Sequence, residues 1–258
     1  ENVFWFSSFF SRLTLVTVWL LGLLPCAASV RLPAVLGDQM VLPRDIDLNI
    51  WGWAAKGEKI TLRFRGAYYY TEAGRDGKWS VHIPPQHYGG PYLMEINDIV
   101  IRDVLIGDVW LCSGQSNMET PIKRLVERFP EINESNNHMI RYFKVPTQNS
   151  IVGRQEDIPS GERWHSGIAS DVMNWTALAY FYAMESYRHN GIPVGMIVSS
   201  LGGSGIECWI DQKYLKKFPE LLLDQHAVDS LRLAERDLGA DYWTEEEYND
   251  SDWPTVLV

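Results

Sequence analysis

The chain predicts an α/β domain preceded by a small antiparallel β-sandwich module. Three observations carry this. Apolar and polar residues alternate with period two in many segments of residues 30–103. From residue 104 the apolar runs become continuous and are separated by helical patterns. One of those runs ends in Ser113-Gly114-Gln115-Ser116-Asn117, a small polar segment at a strand exit. Alternation marks half-buried antiparallel strands, and runs apolar on both faces suit the buried strands of a parallel sheet.

Residues 1–29 stand apart. Arg12 precedes the apolar run Leu13–Leu24, and Cys26-Ala27-Ala28 offers small side chains where a signal peptidase inspects them. This is the pattern of a secretory signal peptide, and it implies a secreted or periplasmic protein. An uncleaved anchor is the alternative, because the aromatic stretch Phe4–Phe10 lengthens the apolar core. Pro25 weakens a lipoprotein reading of Cys26. Beyond that segment only Cys112 and Cys208 remain, too few for a disulfide framework and wrongly spaced for a paired-cysteine zinc site. Buried free thiols are expected, with a Cys112–Cys208 pair, which export permits, as the alternative.

Within 30–103, Ile46–Trp51, Lys59–Arg65 and Lys78–Ile83 alternate cleanly. Turn signals lie at Lys56-Gly57-Glu58, Asp76-Gly77 and Gly89-Gly90-Pro91. No polar cluster there suggests a site, and His82 reads as a surface or packing residue. Within 104–248, Val104-Leu105-Ile106, Val109–Cys112 and Met196-Ile197-Val198 are the buried-strand candidates. A helix is expected over Asn174–His189, with Leu178, Phe181, Tyr182, Glu185 and Ser186 at spacings of three and four. It stops at Asn190-Gly191-Ile192-Pro193.

The 258 residues carry a formal net charge of -10 and are 46% hydrophobic. That is enough for one large core or two smaller ones, and the acidic balance argues against a nucleic-acid partner. The 11 Trp and 12 Tyr fit large cores first and sugar-stacking surfaces second. No ligand cluster calls for a metal or organic cofactor, and no stable membrane partner is expected.

Chemistry is expected at Ser116. A serine at a strand-to-helix turn projects its hydroxyl at the carboxyl edge of a sheet, where clefts form. Unpaired N–H groups at the helix start can bind an oxyanion. The helical stretch is expected to begin near Pro121. The bland alternative is that Ser116 or Asn117 caps that helix. Downstream, Val194–Ser200 runs into Leu201-Gly202-Gly203-Ser204-Gly205-Ile206-Glu207, a second strand breaking into glycines. Such glycines form either a flexible loop or a donor site, and together the two segments suggest adjacent strand ends on one crevice.

The runs GDVWLCSGQSNME (107–119) and PVGMIVSSLGGSGIECWI (193–210) resemble the sialate O-acetylesterase family of SGNH hydrolases. GDQMVLPR, IWGWAAKGEKITL, DGKWSVHIPP and GGPYLMEI resemble the β module preceding the catalytic domain in bacterial members. The resemblance implies an incomplete SGNH or flavodoxin-like three-layer fold and an O-acetylated carbohydrate as partner. It implies Ser116 as nucleophile and Gly202 and Gly203 as oxyanion donors, with Gln115, Asn117 and Glu207 near the substrate. Acetylated sialic acid is the first substrate implied, with acetylated xylan or another plant glycan as the neighbour. A non-catalytic carbohydrate-binding fragment is the reading from another class. The family's Asp-x-x-His block has no match, since Asp224-Gln225-His226 has the wrong spacing. Glu1 at the start and a strand-like close at 249–258, which resembles the start of an inserted β domain, are expected of a piece of a longer protein.

Overall fold

The computed structural model describes residues 30–147, 155–158 and 161–219. The expected signal peptide, His226 and the 249–258 segment lie outside the described residues. Among the described residues, ten strands form a mixed α/β architecture. They are β1 (Val41–Pro43), β2 (Leu48–Trp53), β3 (Lys59–Phe64), β4 (Ala67–Glu72), β5 (Lys78–Ile83), β6 (Gly89–Ile96), β7 (Ile99–Gly114), β8 (Asn136–Lys144), β9 (His165–Ile168) and β10 (Val194–Ser200). The helices are α1 (Ser116–Glu119), α2 (Ala169–Val172), α3 (Ala177–Asn190) and α4 (Gln212–Leu215).

Eight strands share one sheet in the order β4-β3-β6-β7-β10-β8-β9, with β1 pairing β7 off this path. β2 and β5 form a separate antiparallel ribbon. The alternation read in the sequence appears directly in burial. Ile50, Trp79, Val81 and Ile83 point inward from the ribbon and share one core with Ile60, Leu62, Phe64, Met94 and Ile96 of the large sheet. The Gly57 and Gly77 turns form with positive φ of 78° and 74°. Gly89-Gly90-Pro91, expected as a turn, instead opens β6.

β7 joins the two sequence regions without a break at 103/104. Its first half, Ile99–Ile106, pairs antiparallel with β6, and its second half, Asp108–Gly114, pairs parallel with β10. The antiparallel strands β3, β4 and β6 therefore belong to the same sheet as the site strands. At the handover Gly107 is pressed against the Pro193 carbonyl, where any side chain would collide.

β10 is covered on both faces, as its continuous apolar run predicts. Val194, Met196 and Val198 enter a core with Ala179, Tyr180 and Ala183 of α3. Gly195 and Ile197 face the other way, where Val41 of β1 leaves no space for a side chain at Gly195. β7 differs from expectation: over 108–114 its sheet partner among the described residues is β10, and Trp110 and Leu111 are 45% and 72% exposed. α3 ends as its sequence predicts, with Gly191 at φ 66° and its N–H donating to the Tyr187 carbonyl. Its buried face is formed by small residues and Tyr180, whereas Leu178 and Tyr182 of the expected apolar set are exposed. An alanine stripe lets a helix sit close on a sheet, and a count of large apolar residues overlooks it.

Among the described residues, Cys112 and Cys208 are both free. Cys112 is half-buried and burial pushes its thiol pKa up, while Cys208 is exposed, against the expectation of two buried thiols.

Candidate active site

β7 and β10 run parallel in register, with Gly114 beside Ser200. Both therefore deliver their following loops to the same carboxyl edge of the sheet. Gly114 adopts φ +142°, which a side chain strongly disfavours, and the chain turns there into α1. Ser116 is the first residue of that single turn and is exposed. The N-cap position is held by Gln115, without a side-chain capping bond, so Ser116 is not a helix cap. The expected helix from Pro121 is instead α1 followed by a separate 3₁₀ turn at Ile122–Arg124. Pro121 breaks the run and bridges to Thr176.

After β10 the chain makes the Gly202–Gly203 turn, with Gly203 at φ +77°. Its neighbours are tied down from the β7 side. The Leu201 N–H donates to the Gly114 carbonyl at 3.0 Å, and Gln115 Nε2 donates to the Ser204 carbonyl at 2.9 Å. The Gly202 N–H donates to Glu119 Oε2 at 2.7 Å. Ser116 Oγ lies 3.8 Å from where a side chain on Gly202 would begin, so hydroxyl and glycine loop adjoin. Gln115 thus braces two loops. Asn117 is exposed on α1. Glu207, on the 3₁₀ turn Ile206–Trp209, folds its carboxylate over Gly205.

A cleft of about 680 Å³ opens beside Ser116, and Glu119, Lys123, Arg124, Lys144 and Asn174 also line it. Lys144 comes from the carboxyl end of β8, the next parallel strand, and Lys123 Nζ donates to Asn174 Oδ1 at 3.3 Å. Three cations against one carboxylate make this rim positive. Sequence reasoning did not single out these residues. Glu119 was readable in principle, because three positions after Ser116 on a helical turn it shares the serine's face. Lys144 was not, since only the strand order brings it to the site.

A histidine–carboxylate pair does occur: His165 Nδ1 and Asp171 Oδ2 are 3.3 Å apart. Strand register places His165 beside Tyr142, and through Met196 in the row of Trp110. That is three strands from β7, roughly 14 Å sideways at about 4.8 Å per strand, and roughly 13 Å short of the carboxyl edge. His165 therefore does not reach Ser116. Groups of His, Cys, Asp and Glu able to hold a metal are absent among the described residues.

No model of a protein family matches the chain. It is similar to the sialate O-acetylesterase of Pongo abelii, 29% identical over 210 residues that cover 72% of this chain and 40% of that protein. The Homo sapiens sialate O-acetylesterase is 27% identical over 209 residues, with the same coverage. The crystal structure of a carbohydrate acetylesterase from Xanthomonas citri superposes with a TM-score of 0.69 and 36% identity, over 72% of this chain and 44% of that one. The α/β sheet and the strand-end serine thus occur in a chain similar to carbohydrate esterases. The curated relatives it resembles are sialate O-acetylesterases. It spans about 40% of the length of the curated relatives it matches.

Proposed function

We propose that this chain is part of a secreted serine esterase that removes O-acetyl groups from sugars, with Ser116 as nucleophile. One observation carries the reading: an exposed serine hydroxyl at the carboxyl end of β7 adjoins the glycine loop that follows the parallel strand β10. In the reaction Ser116 Oγ attacks the acetyl carbonyl, and the tetrahedral oxyanion accepts backbone N–H groups of Ser116 and the glycine loop. The sugar hydroxyl leaves, and water then releases acetate from acetyl-Ser116. Each oxyanion donor lowers the barrier by about 2.7–4 kcal/mol. A serine hydroxyl needs a base within hydrogen-bond reach. Among the described residues no histidine fills that role, and we assign it to the family's Asp-x-x-His block. A sialate substrate is favoured over a neutral acetylated glycan, because Lys123, Arg124 and Lys144 suit the sugar's carboxylate. Residues 30–103 act as supporting strands without catalytic groups.

The test compares full-length protein with residues 30–258 on a chromogenic acetyl ester, each with a Ser116→Ala counterpart. The full-length protein should turn over and lose that activity in Ser116→Ala, while the short chain stays near background. Turnover that survives Ser116→Ala in the full-length protein sinks the assignment. Acetylated sialic acid and acetylated xylan, compared side by side, decide the sugar.

A further inference from the structure

The glycine loop beside Ser116 is pinned at three of four consecutive residues. Leu201 is held through its N–H by β7, Ser204 through its carbonyl by Gln115, and Gly202 through its N–H by Glu119. The peptide N–H of Gly203 makes no hydrogen bond among the described residues, and the space on its Cβ side is open. Glu119 closes the same single turn that Ser116 opens. The point where a Gly202 side chain would begin is 2.6 Å from Glu119 Oε2 and 3.8 Å from Ser116 Oγ. The two oxygens are therefore no more than about 6.4 Å apart, the sum of those distances.

An N–H already donating to a carboxylate is not free for a substrate oxygen. A charge-assisted bond of this kind is also about twice as strong as a neutral one. Gly202 thus serves as an anchor, and the oxyanion falls to the next peptide. Gly203 adopts φ +77°, a conformation that a residue with a side chain rarely takes. Glu119's own negative charge lies close to the developing oxyanion, and Lys123, Arg124 and Lys144 line the same cleft to offset it.

We propose that Glu119 is a positioning residue that takes the Gly202 N–H and so presents the Gly203 N–H as the loop's oxyanion donor. This rests on the serine esterase reading and narrows its pair of glycine donors to one. Ser116 and Glu119 are read separately by the variants that follow. In the full-length protein, kcat and KM for nitrophenyl acetate are measured for wild type, Ser116→Ala, Glu119→Gln, Glu119→Asp and Glu119→Ala, beside the thermal midpoint of each. Glu119→Gln keeps an acceptor oxygen at the same reach and should hold kcat within about 3-fold. Glu119→Asp and Glu119→Ala cannot reach Gly202 and should lower kcat roughly 10–100-fold with KM little changed. That is at or below the ~10²–10³-fold loss of an outright missing donor. Glu119→Asp keeps the charge and carries the test where Glu119→Ala fails to fold. Full activity in Glu119→Asp or Glu119→Ala overturns the proposal, and a gain would make the carboxylate a plug instead. A Glu119→Gln as poor as Glu119→Ala also overturns it, by making charge the requirement. Turnover in Ser116→Ala would refute the esterase reading itself and leave the loop geometry untouched.

Discussion

Arg141 offers a sharp test of how the sheet is held together. Its side chain is 2% exposed, and its guanidinium grips Asp103 through two bonds, Nη1 to Oδ2 at 2.8 Å and Nη2 to Oδ1 at 2.9 Å. Nε donates to the His138 carbonyl at 2.8 Å. Asp103 sits in the antiparallel half of β7 and Arg141 in β8, so this pair ties the N-terminal strands to the parallel sheet. Asp103→Asn removes the charge and one acceptor while keeping a residue that tolerates the observed φ of +58°. Breaking a fully buried pair costs about 3–5 kcal/mol, because a charge is left unmatched in the interior. The Asp103 side chain is 35% exposed, so water and salt screen part of that. We expect about 2–3 kcal/mol, or roughly 4–12 °C in thermal midpoint for a domain of this size. The assay is urea and thermal unfolding followed by circular dichroism. The double variant Arg141→Met, Asp103→Asn should recover much of the loss by removing the orphaned cation. An Asp103→Asn protein within about 0.5 kcal/mol of wild type, with no recovery in the double variant, would refute this reasoning.

Three further outcomes follow from the same geometry. Gly107→Ala drives a methyl into the Pro193 carbonyl and should cost at least about 2–3 kcal/mol or soluble yield, whereas Gly191→Ala, at φ 66° with open space, should cost only about 1–2 kcal/mol; equal unfolding midpoints would contradict this. Burial pushes the Tyr142 hydroxyl up to about 12 from 10.0; its folded pKa exceeds the unfolded one, so its roughly 2–3 kcal/mol is present below pH 10 and lost as pH rises toward 12. An ultraviolet titration of wild type against Tyr142→Phe should show the late transition, and a difference centred near pH 10 would refute it. Iodoacetamide followed by mass spectrometry should label exposed Cys208 well before Cys112, whose thiol burial holds protonated.

Much of this fold was legible from periodicity. β2, β3 and β5 lie where apolar and polar residues alternate, β10 where the apolar run is unbroken, and Gly191 ends α3 with the left-handed turn its sequence requires. What escaped was non-local. Periodicity is blind to strand length across a change of pairing, so β7 looked like two elements divided at 103/104. It is equally blind to how many partners a strand has, and among the described residues the 108–114 half of β7 has β10 alone beside it, which leaves Trp110 and Leu111 exposed where burial was expected. At the site, the strand-end serine and the glycine loop were visible as motifs. The Glu119 bond to Gly202 and the arrival of Lys144 depend on loop geometry and strand order.

The continuity of β7 has a bearing on how these proteins can be taken apart. Its 16 residues span about 50 Å of contour at about 3.3 Å each, from the N-terminal hairpins to two residues short of Ser116. A cut at 103/104 would not release a module. It would sever a strand between its antiparallel and parallel partners and free the Arg141 guanidinium from Asp103. The supporting strands and the serine therefore cannot be exchanged as independent cassettes. The register shifts against β6 and the φ of +58° at Asp103 put the strand's irregularity in its first half, ahead of the regularly paired run along β10 that leads to the serine.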